Sequence, residues 1–162
     1  MQRPGKEKDT TLTPLWLIEK LGEFDFDPCG YENHKTASAI NVWPSCGLKV
    51  DWFGSVWLNP PYSNVEPWLE KLAKHGDGVA LVLASTDTAW FHKTLENASY
   101  YLFLKGRPKF LKTDGSEVSL MRASVLIEFG NKNRLANSGL DGFLIKRLQN
   151  VEYPTIQLVG GA

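Results

Sequence analysis

Val56-Trp57-Leu58-Asn59-Pro60-Pro61-Tyr62-Ser63-Asn64 is the stretch that decides how this chain is read. The apolar run Val56 to Leu58 has the length and composition of a short buried strand. Two successive prolines end it, because neither can donate to a sheet ladder. Beyond them Ser63-Asn64 and Glu66-Pro67 carry the start signals of a helix. Val65, Trp68, Leu69, Leu72 and Ala73 then recur at helical spacing, and Gly76 supplies the stop. Val79 to Ala84 is wholly apolar, as in a strand buried on both faces of a parallel sheet. The loop at Asn59 to Tyr62 thus sits at the carboxyl end of a strand, where open α/β sheets bind their ligands.

Two acceptors beside an aromatic ring suit a weakly nucleophilic amino group, one whose lone pair is delocalised into a ring or carbonyl. Acceptors that hold both amine hydrogens favour a pyramidal nitrogen with its lone pair turned to an electrophile. The Asn59 side-chain oxygen serves as one acceptor and the Pro60 carbonyl as the other. Each proline fixes its own φ and restricts the residue before it, so the pair is preorganised. Tyr62 offers a flat surface for a base, with stacking worth roughly 1–3 kcal/mol. A base in a duplex must first be turned out of the stack.

Asn59-Pro60-Pro61-Tyr62 is the motif NPPY, and here the chain resembles the amino-methyltransferases that use S-adenosylmethionine. Further matches narrow the resemblance to the small phage-type, Dam-like DNA adenine methyltransferases. They are Thr13-Pro14 with Leu15-Trp16-Leu17, Phe26-Asp27-Pro28-Cys29, and Asp51-Trp52 shortly before NPPY. Downstream come Thr86-Asp87-Thr88 with Trp90-Phe91-His92, and Gly106-Arg107 with Lys109-Phe110. The ordered set is more specific than any one member. The resemblance implies an abbreviated Rossmann-like methyltransferase fold, a three-layer α/β/α arrangement with a mostly parallel sheet and an antiparallel hairpin near the C-terminal end. It also implies methyl transfer to the exocyclic amine of a flipped adenine in double-stranded DNA.

The implied catalytic residues are Asn59, Pro60, Pro61 and Tyr62. The implied cofactor contacts are Thr13, Pro14, Asp27, Pro28, Cys29, Gly30 and Asp51. Asp27 stands where an acid followed by a glycine turn would end a strand, the way doubly wound folds meet nucleoside cofactors. No glycine-rich G-x-G run follows, a departure from the usual methyltransferase pattern. Ser63, Lys105, Arg107, Lys109 and Arg122 are the implied DNA contacts, the last four on a basic hairpin interleaved with Phe110. The same motif also serves methyltransferases acting on RNA bases or protein glutamine. A catalytically inactive nucleic-acid-binding member of the fold is the remaining alternative.

Composition sets the outer limits. A chain of 162 residues with 43% hydrophobic and 22% charged residues reads as one domain over residues 11–162, behind a flexible charged arm at 1–10. The formal net charge of zero argues against strong indiscriminate binding to nucleic acid, while leaving room for a local basic surface. Two cysteines, Cys29 and Cys46, are too few for a zinc cage, so no metal is expected. No stretch approaches membrane-span length and the start is polar, so the expected location is the cytoplasm, that of a bacterial host if the chain is phage-encoded.

Around the central loop, Thr13 reads as a helix N-cap with Pro14 at the first helical position, and Leu15, Ile18 and Leu21 as that helix's apolar face. Phe24 to Asp27 reads as a strand that breaks at Pro28-Cys29-Gly30. Only about thirty residues separate this strand from NPPY, so the region between should be abbreviated. Thr86-Asp87 reads as the cap of a second helix, and Tyr100 to Leu104 as a strand. The chain then turns at Asp114-Gly115 and returns through Ala123 to Phe129 as an antiparallel partner. His92 reads as a structural or surface residue. Residues 131–162 carry no recognisable chemistry.

Overall fold

A short helix, α1 (Leu15–Leu21), leads into β1 (Phe26–Gly30) and β2 (Ala39–Val42). A 3-10 turn at Gly47–Lys49 precedes β3 (Val56–Leu58), α2 (Glu66–His75), β4 (Gly78–Leu83), α3 (Ala89–Leu95) and β5 (Tyr100–Leu104). The hairpin tip contributes β6 (Lys109–Leu111) and β7 (Glu117–Ser119), and the chain returns as β8 (Ser124–Phe129), α4 (Arg134–Asn137) and β9 (Gly142–Lys146). This computed structural model describes residues 11–42 and 46–147. The expected arm at 1–10, much of the turn at Pro44 to Gly47 and the end of the chain past residue 147 lie outside the described residues.

Seven strands form one mixed sheet in the order β2-β1-β3-β4-β8-β5-β9, while β6 and β7 pair by themselves. The β2-β1, β1-β3 and β3-β4 pairings are parallel. The β4-β8, β8-β5 and β5-β9 pairings are antiparallel. A mostly parallel sheet is therefore found only in the first half. The returning hairpin strand β8 inserts between β4 and β5, which makes both of its neighbours antiparallel to it.

The two faces of the sheet follow from strand alternation. Val56, Leu58, Ala80, Val82, Val125 and Ile127 point to one face, against Trp68, Leu69 and Leu72 of α2 and Phe91 of α3. Trp57, Val79, Leu81 and Leu126 point to the other, against Leu17 and Leu21 of α1, Leu135 of α4 and Phe110 of β6. Helices thus cover both faces, and each fully buried apolar side chain contributes roughly 1.5–3 kcal/mol. Gly76 ends α2 in the left-handed region at φ 82, with its N–H bonded to the Leu72 carbonyl.

On the second face a buried acid replaces apolar packing. Glu128 accepts the backbone N–H of Arg134 at 2.8 Å and of Leu135 at 3.0 Å. Arg134 lies 4.4 Å over the Phe24 ring and donates to the Leu21 carbonyl and the Ser55 hydroxyl, which ties α4 and α1 to the sheet. Among the described residues no helix is long and apolar enough to cross a membrane.

Several local expectations are corrected. Pro28, Cys29 and Gly30 continue β1 instead of breaking it. The missing proline N–H is absorbed by a register slip, with Asp27 opposite Ile40 but Gly30 opposite Val42. Thr13 does not cap α1; Pro14 holds the N-cap position, and the Thr13 hydroxyl accepts a hydrogen bond from the buried Trp57 indole at 3.2 Å. The buried face of α1 is Leu17 and Leu21, with Leu15 and Trp16 exposed. Thr88, not Thr86-Asp87, precedes α3. Phe110 is fully buried, so it belongs to the core and not to an interface.

Candidate active site

β1 is flanked by β2 on one side and β3 on the other, so successive connections leave it in opposite directions. Such a reversal opens a crevice at the carboxyl ends of the strands. The β1-β3 ladder is limited to Phe26 opposite Val56, so the strands are unpaired beyond it. Asp27 of β1 and Asn59, directly after β3, flank that gap. The two clusters of expected site residues that matter most, catalytic and cofactor-binding, are thereby brought to one edge of the sheet.

Asn59 is half-buried, and each end of its amide makes one hydrogen bond. Its Nδ2 donates to the Thr11 carbonyl at 3.0 Å, and its Oδ1 accepts the Tyr62 hydroxyl at 3.0 Å. Pro60 is buried, and its carbonyl takes no hydrogen bond from the described residues. The Asn64 N–H closes a turn on the Pro61 carbonyl at 3.3 Å, after which α2 begins. Tyr62 is half-buried against the core, and burial pushes its hydroxyl pKa upward, so the phenol stays protonated and able to donate. Two acceptors and a ring therefore stand together at the end of β3, and Ser63 beside them is exposed.

Asp27 is only 3% exposed. Burial raises its pKa from the ordinary 3.8 to about 6, against the opposing hydrogen bonds from the Thr36 hydroxyl and the Cys29 N–H. The Cys29 N–H lies 2.8 Å from Oδ1, and Thr36 donates to Oδ2. The Cys29 thiol is held well above its ordinary pKa by burial first and by the Asp27 charge second. Gly30 is required by close packing: a Cβ there would lie 2.6 Å from the Ile40 Cβ of β2. Asp51 is exposed on the segment leading to the amino end of β3, beside Trp52, which stacks on Trp68. No described contact joins Asp51 to Asn59 or Asp27.

The basic residues leave the sheet at the same edge. β5 runs parallel to β4 through their shared antiparallel partner β8, so its carboxyl end faces the same way as that of β3. Lys105, Arg107, Lys109 and Arg122 are all exposed. Lys105 pairs with Asp141 at 3.4 Å and Lys109 with Glu117 at 3.1 Å. Arg122 donates to the Ser85 hydroxyl, just past β4, at 3.3 Å. Arg107 has no ion-pair partner among the described residues. The tip folds back over the α1 face, where Leu12 and Leu111 exchange backbone hydrogen bonds of 2.7 and 3.0 Å.

This arrangement is matched by sequence over most of the chain. The model of the family described as DNA N-6-adenine-methyltransferase (Dam) matches residues 2–132. The chain belongs to the Dam family. A DNA N-6-adenine-methyltransferase of Escherichia phage T1 is 29% identical over 113 residues, covering 63% of this chain and 47% of that protein. The chain thus spans about half the length of the curated relative it matches. α4, β9 and the remainder of the C-terminal region fall outside the family match.

In this Dam-family chain three contributors to the site escape sequence reasoning. Thr36 binds Asp27, Ser85 binds Arg122, and Thr11 offers a backbone carbonyl to Asn59 from 48 positions away. A carbonyl leaves no mark in residue identity, and no local spacing links these partners. His92 bonds the Thr86 carbonyl at 2.8 Å from an exposed position, a loop-holding contact.

Proposed function

We propose that this Dam-family chain is a DNA adenine methyltransferase that transfers a methyl group from S-adenosylmethionine to the exocyclic amine of a flipped adenine. The observation that carries the reading is the pair of acceptors after β3, Asn59 Oδ1 and the Pro60 carbonyl, with the Tyr62 ring beside them. Two acceptors hold two amine hydrogens and turn the lone pair outward, while the ring of Tyr62 stacks on the base. Catalysis is then chiefly alignment and stabilisation of the positive charge that develops on nitrogen. The proton lost from the methylated amine goes to water, so no general base is required of the chain.

S-adenosylmethionine, when bound, supplies an electrophilic methyl group on a sulfonium centre. The chemistry of the edge suits it. The buried carboxylate of Asp27 matches the ammonium of the methionine moiety, in the gap beyond the β1-β3 ladder. Thr13-Pro14, Pro28-Cys29, Gly30 and Asp51 are the further residues proposed for the cofactor site. Arg107 and Arg122, with Lys105, Lys109 and Ser63, would meet the phosphates and grooves of double-stranded DNA.

The test is methyl incorporation from S-adenosylmethionine into duplex DNA, RNA and protein, assayed side by side. Label confined to N6 of adenine in duplex DNA is the expected result. Label in RNA or on glutamine would replace the acceptor, and cofactor-independent DNA binding without label would make the chain a binding module.

A further inference from the structure

The amide of Asn59 can be read only one way round. Its nitrogen faces the Thr11 carbonyl at 3.0 Å, and a carbonyl oxygen can only accept. The Tyr62 hydroxyl on the other side can donate or accept, so it does not choose the orientation. The choice is made by Thr11. That carbonyl is itself held in place on its C-terminal side. Leu12 exchanges two backbone hydrogen bonds with Leu111 of β6, the Thr13 carbonyl accepts from His34 Nε2 at 2.7 Å, and the Thr13 hydroxyl accepts from Trp57 at 3.2 Å. Trp57 lies two positions before Asn59 on β3, so the segment 11–13 is clamped to the strand that carries the catalytic loop.

We propose that the Thr11 carbonyl is a positioning group that demands a donor at position 59 and thereby turns Oδ1, not Nδ2, toward the substrate amine. This deepens the adenine-methyltransferase reading and rests on it. A wrongly turned amide would present two hydrogens to the two hydrogens of the amine. With the nitrogen tied to Thr11, no part of the binding energy is used to select the productive orientation.

In Asn59→Asp, an oxygen replaces Nδ2 opposite the Thr11 carbonyl. As a carboxylate, that oxygen faces another acceptor and is repelled. As the neutral acid, its O–H donates to Thr11 and its C=O accepts the amine, reproducing the amide. Activity of the variant therefore belongs to the protonated form and is lost as pH rises through the pKa of the introduced carboxyl.

The experiment compares the pH profiles of kcat for wild type and Asn59→Asp on duplex DNA at saturating S-adenosylmethionine. Cofactor binding by calorimetry and thermal melting are followed at each pH. The variant should gain a descending limb, about tenfold per pH unit, that wild type lacks, with cofactor binding near wild type and the protein still folded across the limb, its melting temperature falling modestly as the introduced carboxyl ionises. A variant-to-wild-type ratio that is flat in pH, whether high or at background, overturns the positioning role. An independent readout needs no turnover: amide exchange in the wild type by nitrogen-15 NMR. One Asn59 side-chain proton should exchange at least about tenfold more slowly than those of the exposed Asn64 and Asn97. Equal exchange overturns the proposal. Slow exchange in a protein that labels no DNA sustains the hydrogen bond and overturns the functional reading beneath it.

Discussion

Asp27→Asn should stabilise the protein at neutral pH while weakening its hold on S-adenosylmethionine. In the cofactor-free protein the carboxyl is buried, and its pKa is raised from 3.8 to about 6. A folded-state pKa above the unfolded value means that the native state binds more protons between those two values, so stability falls as pH rises through that window. The full loss is about 3 kcal/mol, complete above about pH 7 and absent below about pH 3. Asparagine removes the charge, keeps an oxygen for the Cys29 N–H, and lets the Thr36 hydroxyl turn to accept from its nitrogen. The second amide hydrogen is left without a partner, at a cost of about 1–3 kcal/mol set against the roughly 3 kcal/mol recovered, so the expected gain is about 0–2 kcal/mol near pH 8 and becomes a loss of about 1–3 kcal/mol near pH 4. Urea unfolding of both proteins at several pH values, without cofactor, measures it. In parallel, calorimetry should show wild-type affinity for S-adenosylmethionine falling below about pH 6, where the proposed partner of the ammonium is neutral, and the variant weak throughout. A variant clearly less stable than wild type near pH 8 would contradict this expectation, because the ionised carboxylate would then be at least as well solvated inside the protein as in water.

Other substitutions separate packing from chemistry. Thr13→Val keeps the shape and leaves the buried Trp57 indole N–H without an acceptor, a loss of about 1–3 kcal/mol in urea unfolding; an unchanged midpoint would show that the indole finds another partner. Tyr62→Phe keeps the stacking surface and removes the hydroxyl that occupies Asn59 Oδ1, so methyl transfer to duplex DNA should stay within a few-fold of wild type. Tyr62→Ala should lower kcat/KM by the stacking energy, roughly 1–3 kcal/mol, and equal losses in the two variants would count against stacking. Arg107→Ala should reduce the salt slope of DNA binding by about one, and Lys109→Ala by less, because Glu117 already partly neutralises Lys109.

The parts of the fold that sequence makes legible are those whose signals are local. The run Val56 to Leu58, the helical spacing from Val65 to Ala73 and the apolar stretch Val79 to Ala84 recur as β3, α2 and β4, the last ending one residue earlier at Leu83, and Tyr100–Leu104 is β5 as expected. β1 is harder to read, because Pro28 and Gly30 ordinarily end strands; here a register slip absorbs the proline, and Ile40 fills the space that the glycine leaves. β9 is an edge strand with every residue exposed, so it shows no apolar alternation, and α4 is a four-residue helix capped by the distant Glu128. The same distinction runs through the candidate site. Asn59 to Tyr62 announce themselves by residue type and spacing, whereas Thr13 reads as a cap until Trp57 claims its hydroxyl. The Thr11 carbonyl is invisible in the sequence because the contact depends on how the chain folds back, not on which side chain is present.

The most direct test of the central claim is transfer of labelled methyl from S-adenosylmethionine to duplex DNA by wild type and by Asn59→Ala, with cofactor affinity measured for both. Label on the N6 of adenine is expected with wild type, none with Asn59→Ala, and similar cofactor affinity in the two proteins. Near wild-type transfer by Asn59→Ala would contradict the claim.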